Sequence, residues 1–375
     1  MKMIPISKPY NIKSAGKEIK KIIDKDWISS GGQNVIKFEK LFAKFVGAKY
    51  AISMSNGTVA LISSLSFVVK KNEFVALPAL TFGACGNAIL SVGAKPVFID
   101  TEKDKWLISF EDLKKKYKKT PFKALINVHL NGYATEEIDK IKKFCKKNKI
   151  FLIEDCAEAF GTKINNKHVG TYGDIGTFSL FANKTITTGE GGMCITNNSK
   201  IAKKIKILRD HGMDPKKKYW HIIKGYNHRM TNLQATIGIS QIKQAKKIFE
   251  LREKIYNQYI NSLKFEKFFD EIKPSKNMEP VMWYFPFTVN KKFAFKKKAL
   301  LKFLKKNHIE TRNFFYPLDQ MKVFSKKRVC MNSNDISNRS FYLPLYPDLK
   351  INNVDFICNK IKFFFISFFI FYFSI

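Results

Sequence analysis

Short apolar runs separated by amphipathic stretches predict an α/β fold whose mainly parallel sheet is covered on both faces. Three observations carry that expectation. Apolar runs recur along the first half of the chain, the stretches between them show a helical period, and a content of 45% apolar and 14% aromatic residues over 375 positions supplies a large core. Residues 36 to 47 predict an amphipathic helix, with Phe38, Leu41, Phe42 and Phe45 on one face and Gly47 closing it. A strand at Tyr50–Met54 follows directly. Further strands are expected at Phe74–Leu77, Pro96–Ile99, Ala124–Val128 and Ile150–Ile153, with a helix over Glu136–Asn148 among the spacers. Strands at Ile175–Phe181 and Met193–Thr196 leave room for one antiparallel member. Leu233–Arg252 predicts a single long helix. Beyond it, Trp283–Val289, a helix around Leu300–Lys306 and the stretch Asn353–Ile361 suggest a smaller α+β unit. The expected division is 1–248 for a large domain, 249–362 for a small one, and 363–375 for an atypical tail.

Lys+Arg 67 against Asp+Glu 31 gives a formal charge of +36. Such an excess raises the question of an anionic polymer as partner. Its make-up points elsewhere. Only six of these residues are arginine, and 35 Phe accompany the lysines, a bias that adenine- and thymine-rich codons supply. The Lys runs fall on polar helix faces or loops and are not interleaved with aromatics, so nucleic-acid binding is not expected. Six Cys (85, 145, 156, 194, 330, 358) form no C-x-x-C pair and share no metal-site spacing with His, so no metal is expected either. The opening residues do not read as a secretory leader, and a cytoplasmic protein with reduced thiols is the expectation. Residues 363 to 375 are uncharged, and eight of these 13 are Phe or Tyr. A spanning helix needs about 20 apolar residues. This stretch is expected to pack loosely and to take no part in chemistry, and membrane association through it is not expected.

Three segments carry candidate chemistry. Ser55-Asn56-Gly57-Thr58 lies between a strand and a helix, where small residues and free N–H groups suit a phosphate, although the same residues also serve as ordinary N-caps. Asp155 stands at the carboxyl end of a strand, the edge where open α/β sheets bind ligands. It could pair with a cationic ring nitrogen or cap a helix. In Ser179–Gly192, read SLFANKTITTGEGG, a strand delivers Ser179 and Lys184 follows. A primary amine whose pKa is lowered forms a Schiff base with an aldehyde, and glycines 189, 191 and 192 permit a tight turn beneath it.

In this order the segments resemble the DegT/DnrJ/EryC1/StrS family of sugar-nucleotide aminotransferases. The similarity runs from about Met3 to about Ile361. It includes WISSGGQNVIKFEKLFAKFVGAKYA (27–51), SNGTVAL (55–61), PALTFGACGNAILSVGAKPVFID (78–100), VHLNGYA (128–134), IEDCAEAFG (153–161), TFSLFANKTITTGEGGM (177–193), RDHGM (209–213), YWHIIKGYNHRMTNLQATIG (219–238) and ETRNFFYPL (310–318). The block 209–238 looks most like the perosamine-synthase branch. The resemblance implies aminotransferase fold type I, with a mainly parallel seven-stranded sheet in the large domain, and pyridoxal 5'-phosphate as cofactor. It implies that Lys184 holds the cofactor aldehyde as an imine and then shuttles protons, that Asp155 pairs with the ring nitrogen, and that Phe82 stacks on the ring. By the same resemblance Gly57, Thr58 and Ser179 hold the phosphate and Glu158 lies beside the ring hydroxyl. Asn227 reaches the phosphate of the neighbouring subunit, making a homodimer with shared sites, and Arg229 is a candidate for substrate contact. The implied reaction moves an amino group from L-glutamate to a nucleotide-linked 4-keto-6-deoxy sugar, with GDP-4-keto-6-deoxymannose as first choice, for surface polysaccharide. A UDP- or dTDP-linked ketone, or a relative without turnover, are the alternatives. Relatives with His in place of the lysine are dehydratases, and Lys184 argues against that branch. Asn131 stands where many members have Tyr, which suggests a different sugar-side pocket.

Overall fold

The computed structural model describes residues 3–25, 27–325, 327 and 329–373, apart from the side chains of 368–373. Seven strands form the main sheet: β1 (Tyr50–Met54), β2 (Phe74–Pro78), β3 (Lys95–Ile99), β4 (Ala124–Val128), β5 (Phe151–Asp155), β6 (Ile175–Ser179) and β7 (Gly192–Thr196). Their order is β1-β7-β6-β5-β4-β2-β3. Only β7 runs against the others, pairing antiparallel with both β1 and β6. The expected antiparallel member is therefore β7, reached from β6 through a short loop where the parallel strands need helical crossovers.

Alternation along the strands fills both faces. In β4, Leu125 points into one apolar layer and Ala124, Ile126 and Val128 into the other; in β5, Leu152 and Ile153 divide the same way. The smaller layer lies beneath the helices Phe110–Lys119 and Ile138–Lys147, which bury Leu113, Ile141 and Cys145 and turn their lysines outward. The larger layer is rich in aromatic pairs, such as Phe42 with Phe160 at 5.3 Å and with Phe178 at 5.1 Å between ring centroids. Phenylalanine excess thus becomes core, and such pairs contribute about 0.5–1.5 kcal/mol each beyond their burial.

The stretch expected to form one helix is two, Asn232–Lys243 and Ala245–Leu263. The break is at Gln244, whose backbone (φ −98°, ψ 0°) leaves the helical region. Its amide donates to Ser14 Oγ at 2.9 Å and to the Ser240 carbonyl at 3.0 Å, and it accepts from Asn11 at 2.8 Å. Contacts with the amino-terminal segment thus hold the junction, which local propensity does not encode. Residue 248, the expected domain boundary, lies in the first turns of the second helix. That helix leads into a smaller unit with an antiparallel sheet of Phe285–Thr288, Ser340–Leu343 and Arg312–Asn313, Ser340–Leu343 in the centre. The chain start also reaches this unit. Ile4 bonds to His308 and Glu310 at 2.8 and 3.0 Å, and Ile6 to the Glu310 carboxylate at 2.8 Å.

The last helix, Ile351–Phe373, is longer than Asn353–Ile361 and carries the aromatic stretch on a continuous helical backbone. The expectation of loose packing fails at Phe365, which is fully buried and stacks on Phe268 at 4.1 Å. Ser374 and Ile375, the end of that stretch, lie outside the described residues.

Candidate active site

The carboxyl edge of the sheet gathers the motif residues. β5 places Glu154 and Asp155 on opposite faces. Glu154 turns into the core, where its carboxylate meets His129 at 2.8 Å and accepts the N–H groups of Gly170, Tyr172 and Gly173 at 2.6–2.8 Å. Burial disfavours its charge, yet His129 and these N–H groups together hold the carboxyl below its ordinary range. His129, Glu154 and Cys156 lie close enough to suggest a metal group. The Glu154 oxygens are already committed to these four donors, and the cluster reads as a buried anchor for the end of β5.

Asp155 faces the other way, into a cleft of about 570 Å³. One of its oxygens accepts the Ala157 N–H at 3.0 Å; the other takes the Cys85 thiol at 3.1 Å. Glu158, on the turn after β5, accepts the Asn131 N–H at 2.9 Å. Asn131 adopts a left-handed backbone (φ 55°) and is wholly buried. Its side-chain oxygen accepts the Tyr284 N–H at 3.1 Å. It supports Glu158 from behind and does not line the cleft, so the expected link to a sugar pocket is not made directly.

Lys184 sits in the loop between β6 and β7. The loop is pinned at both ends. Lys184 N–H donates to the Phe181 carbonyl at 2.9 Å, and Thr188 N–H and the Thr187 hydroxyl both donate to the Leu180 carbonyl at 2.9 Å. Gly189 turns with φ +85°, and a Cβ on Gly192 would lie 2.3 Å from the Asn56 carbonyl oxygen. The Lys184 ammonium is 3.6 Å from the Glu158 carboxylate and 4.0 Å from the centre of the Trp283 ring. Burial lowers the Lys184 pKa while Glu158 and Asp155 oppose that shift, and burial raises Glu158 against the pull of Lys184. Both are driven toward their neutral forms.

The phosphate-like corner is made by close approach. Asn56 caps the helix Gly57–Leu65 by accepting the Val59 N–H at 2.9 Å, and the first N–H groups of that helix have no intrahelical acceptor. A Cβ on Gly57 would stand 2.9 Å from the Ser179 Cβ, so only glycine brings the helix start this near to the end of β6. Phe82, 61% exposed, rims the cleft just before the helix Gly83–Ser91, its ring 5.7 Å from Phe315.

Gly57, Thr58, Phe82, Asp155, Glu158, Ser179 and Lys184 thus share one cleft. Asn227 and Arg229 do not reach it within this chain. Asn227 is exposed and bridges to Asp210 through its backbone, and Arg229 is paired with the Asp210 carboxylate. Sequence reasoning missed the wall that the small unit supplies, Trp283, Tyr284, Arg312, Phe315 and Tyr342. Arg312 and Phe315 lie inside the ETRNFFYPL block and carried a signal; Trp283 and Tyr342 carried none. The donor set fits pyridoxal phosphate: a buried amine, a strand-end carboxylate, a glycine cradle at a helix start, and an aromatic rim. Asn183 Oδ1 and Tyr342 Oη, of cleft-lining residues, are buried and lack hydrogen-bond partners among the described residues.

Comparison with known proteins bears on the fold and the family. The Helicobacter pylori aminotransferase PseC, involved in the biosynthesis of pseudoaminic acid, superposes with a TM-score of 0.92 at 26% identity, over 98% of this chain and 100% of that one. GDP-perosamine synthase from Vibrio cholerae is 38% identical over 96% of this chain and 98% of its own length. The GDP-perosamine synthase of Escherichia coli O157:H7 is 37% identical over the same shares. Residues 9–362 match the model of the DegT/DnrJ/EryC1/StrS aminotransferase family, and the chain belongs to that family of pyridoxal-phosphate-dependent sugar aminotransferases.

Proposed function

We propose that the protein moves an amino group from L-glutamate to GDP-4-keto-6-deoxymannose, forming GDP-perosamine, and works as a homodimer. The observation that carries the reaction is the placement of Lys184 in one cleft with Asp155, Glu158 and the Gly57–Ser179 corner. The choice of sugar rests on similarity to GDP-perosamine synthases over nearly the whole chain. When bound, pyridoxal phosphate supplies an aldehyde that carries the amino group and a cationic ring that withdraws electrons from the carbon losing its proton.

The chain's own groups do the rest. Asp155 would hold the ring nitrogen protonated, its carboxylate oriented by Ala157 and Cys85. Gly57, Thr58 and Ser179 would hold the phosphate against the helix start. Phe82 would cover one ring face. Lys184 Nζ, whose pKa burial lowers against the pull of Glu158 and Asp155, would accept the proton from the donor carbon and return it on the cofactor side. Glu158, 3.6 Å from Nζ, steadies that amine in its charged phase. Trp283 and Tyr342 line the cleft from the small unit, the Trp283 ring centre 4.0 Å from Lys184 Nζ.

Purified protein should absorb in the visible range with pyridoxal phosphate, and Lys184→Ala and Lys184→Arg should abolish both this band and turnover. Arginine fails because its guanidinium stays protonated and cannot form the imine. An amino-transfer screen with glutamate against 4-keto-6-deoxy sugars on GDP, UDP and dTDP tests the substrate. The GDP-linked ketone should be preferred; preference for a UDP-linked N-acetyl sugar would overturn that choice and leave the reaction class standing.

A further inference from the structure

The helix Ile351–Phe373 presents two unlike sides over its described side chains. Val354, Ile357, Cys358, Ile361 and Phe365 are buried at three- and four-residue spacing, the stripe of a helix seated on a protein body. Another side of the same turns is different. Phe363 is 60% exposed and Ile366 55% exposed, and residues three apart on a helix are neighbours. Phe303 extends this face from the helix Lys297–Lys306, its ring 6.3 Å from Phe363 and 5.5 Å from Phe364. That second helix, KKALLKFLKK, has no acidic residue, and its Lys298, Lys302, Lys305 and Lys306 are exposed. The terminal helix adds Lys360, while its Lys362 is already paired with the Glu266 carboxylate at 3.1 Å.

We propose that this face docks on an anionic membrane surface, with Phe363 and Ile366 entering the interfacial layer while the lysines meet acidic headgroups. Charge complementarity selects this occupant. A second copy would set the same lysines against one another, whereas an acidic lipid surface neutralises them. Lysine stems also lie along apolar surface with the charge held outward, which suits a boundary between lipid and water. The exposed Phe363 and Ile366 thus reverse the expectation that the 363–375 stretch has no membrane association, and the contact is peripheral. From Phe363 to Phe373 the helix rises about 16 Å, half of a hydrocarbon core, and among the described residues no helix is long and apolar enough to cross a membrane. The face belongs to the small unit and uses no cleft residue, so it is independent of the substrate assignment.

Co-sedimentation of the full-length protein with vesicles tests this, using phosphatidylcholine alone and phosphatidylcholine with about 30% phosphatidylglycerol. The wild type should bind the acidic vesicles and leave the neutral ones. Phe363→Ser with Ile366→Ser, and separately Lys302→Gln with Lys305→Gln and Lys306→Gln, should each weaken binding by about tenfold or more. Both variants should keep wild-type amino-transfer activity in solution, showing that they fold. Lys114→Gln with Lys115→Gln and Lys118→Gln, on a helix of the large unit, should change binding by less than about twofold. Equal loss in this control would make the attraction general to the +36 charge and overturn the proposal. Full binding by the Phe363/Ile366 variant would do the same, as would a smaller oligomer formed by that variant, since a second copy would then be what covers the face.

Discussion

Cys85 is the residue whose role the structure adds to the motif. Its thiol donates to the Asp155 carboxylate at 3.1 Å, and it sits one helical turn after Phe82, so one short segment supplies both a cleft-facing aromatic and a support for the acid. Burial and the nearby Asp155 charge push its pKa well up, which keeps the thiol a neutral donor. Cys85→Ser should retain cofactor binding and turnover. Cys85→Val, which lacks the donor, should lower kcat by about tenfold and shift the pH dependence of the bound-cofactor absorbance; an unchanged absorbance titration would remove Cys85 from any such role. Gly57→Ala should weaken cofactor binding by about 1–3 kcal/mol, read by titrating the apoprotein, because its methyl group would press on Ser179. Lys184, Asp155 and Gly57 were legible in the sequence because each stands at a fixed place beside a strand end. Trp283 and Tyr342 were not, since only the packing of the small unit brings them opposite Lys184.

Elements follow the hydrophobic period closely where they are buried on one side and depart from it where a distant segment intervenes. Ala124–Val128 is the strand expected, whereas the helix beyond Asn232 breaks at Gln244 because Asn11 and Ser14 hold that side chain. The small hairpin Lys163–Ile164 with Lys167–His168 offers a test of buried polarity at this scale. Burial, with Lys163 nearby, lowers the His168 pKa to about 4, and its ring lies 5.5 Å from Phe45. Between pH 6.5 and about 4 the unfolded chain therefore binds a proton there that the folded chain refuses. Stability from this group is present above pH 6.5 and is lost as pH falls toward 4, by on the order of 3 kcal/mol. Urea unfolding of wild type and His168→Gln across that range should show a shallower acid slope in the variant. On the terminal helix, Phe365→Ala should cost about 3–5 kcal/mol, since the ring is wholly buried against Phe268.

Across the whole molecule the open question is how many chains make one site. Asn227 and Arg229 stay outside the cleft of their own chain, whereas the proposed dimer would bring Asn227 to the neighbouring phosphate. Mixing Lys184→Ala with Asn227→Ala subunits should restore activity, because one site of each mixed dimer would carry neither change; no restoration would mean that each chain completes its own site. Charge acts at the same scale. A field of +36 should assist capture of an anionic sugar nucleotide, so KM should rise with salt while kcat changes little.

By itself the sequence determined the α/β class, the positions of the seven strands and the lysine and carboxylate to which we assign the chemistry. These are properties of local pattern: a period of two or 3.6, and small residues at the turns where backbones meet. Tertiary structure decided the order of strands in the sheet, the break at Gln244, the aromatic wall from the small unit, and the seating of Phe365 against Phe268. Each of these depends on which distant surfaces meet when the core is buried, a choice made by packing over the whole chain rather than by neighbours along it.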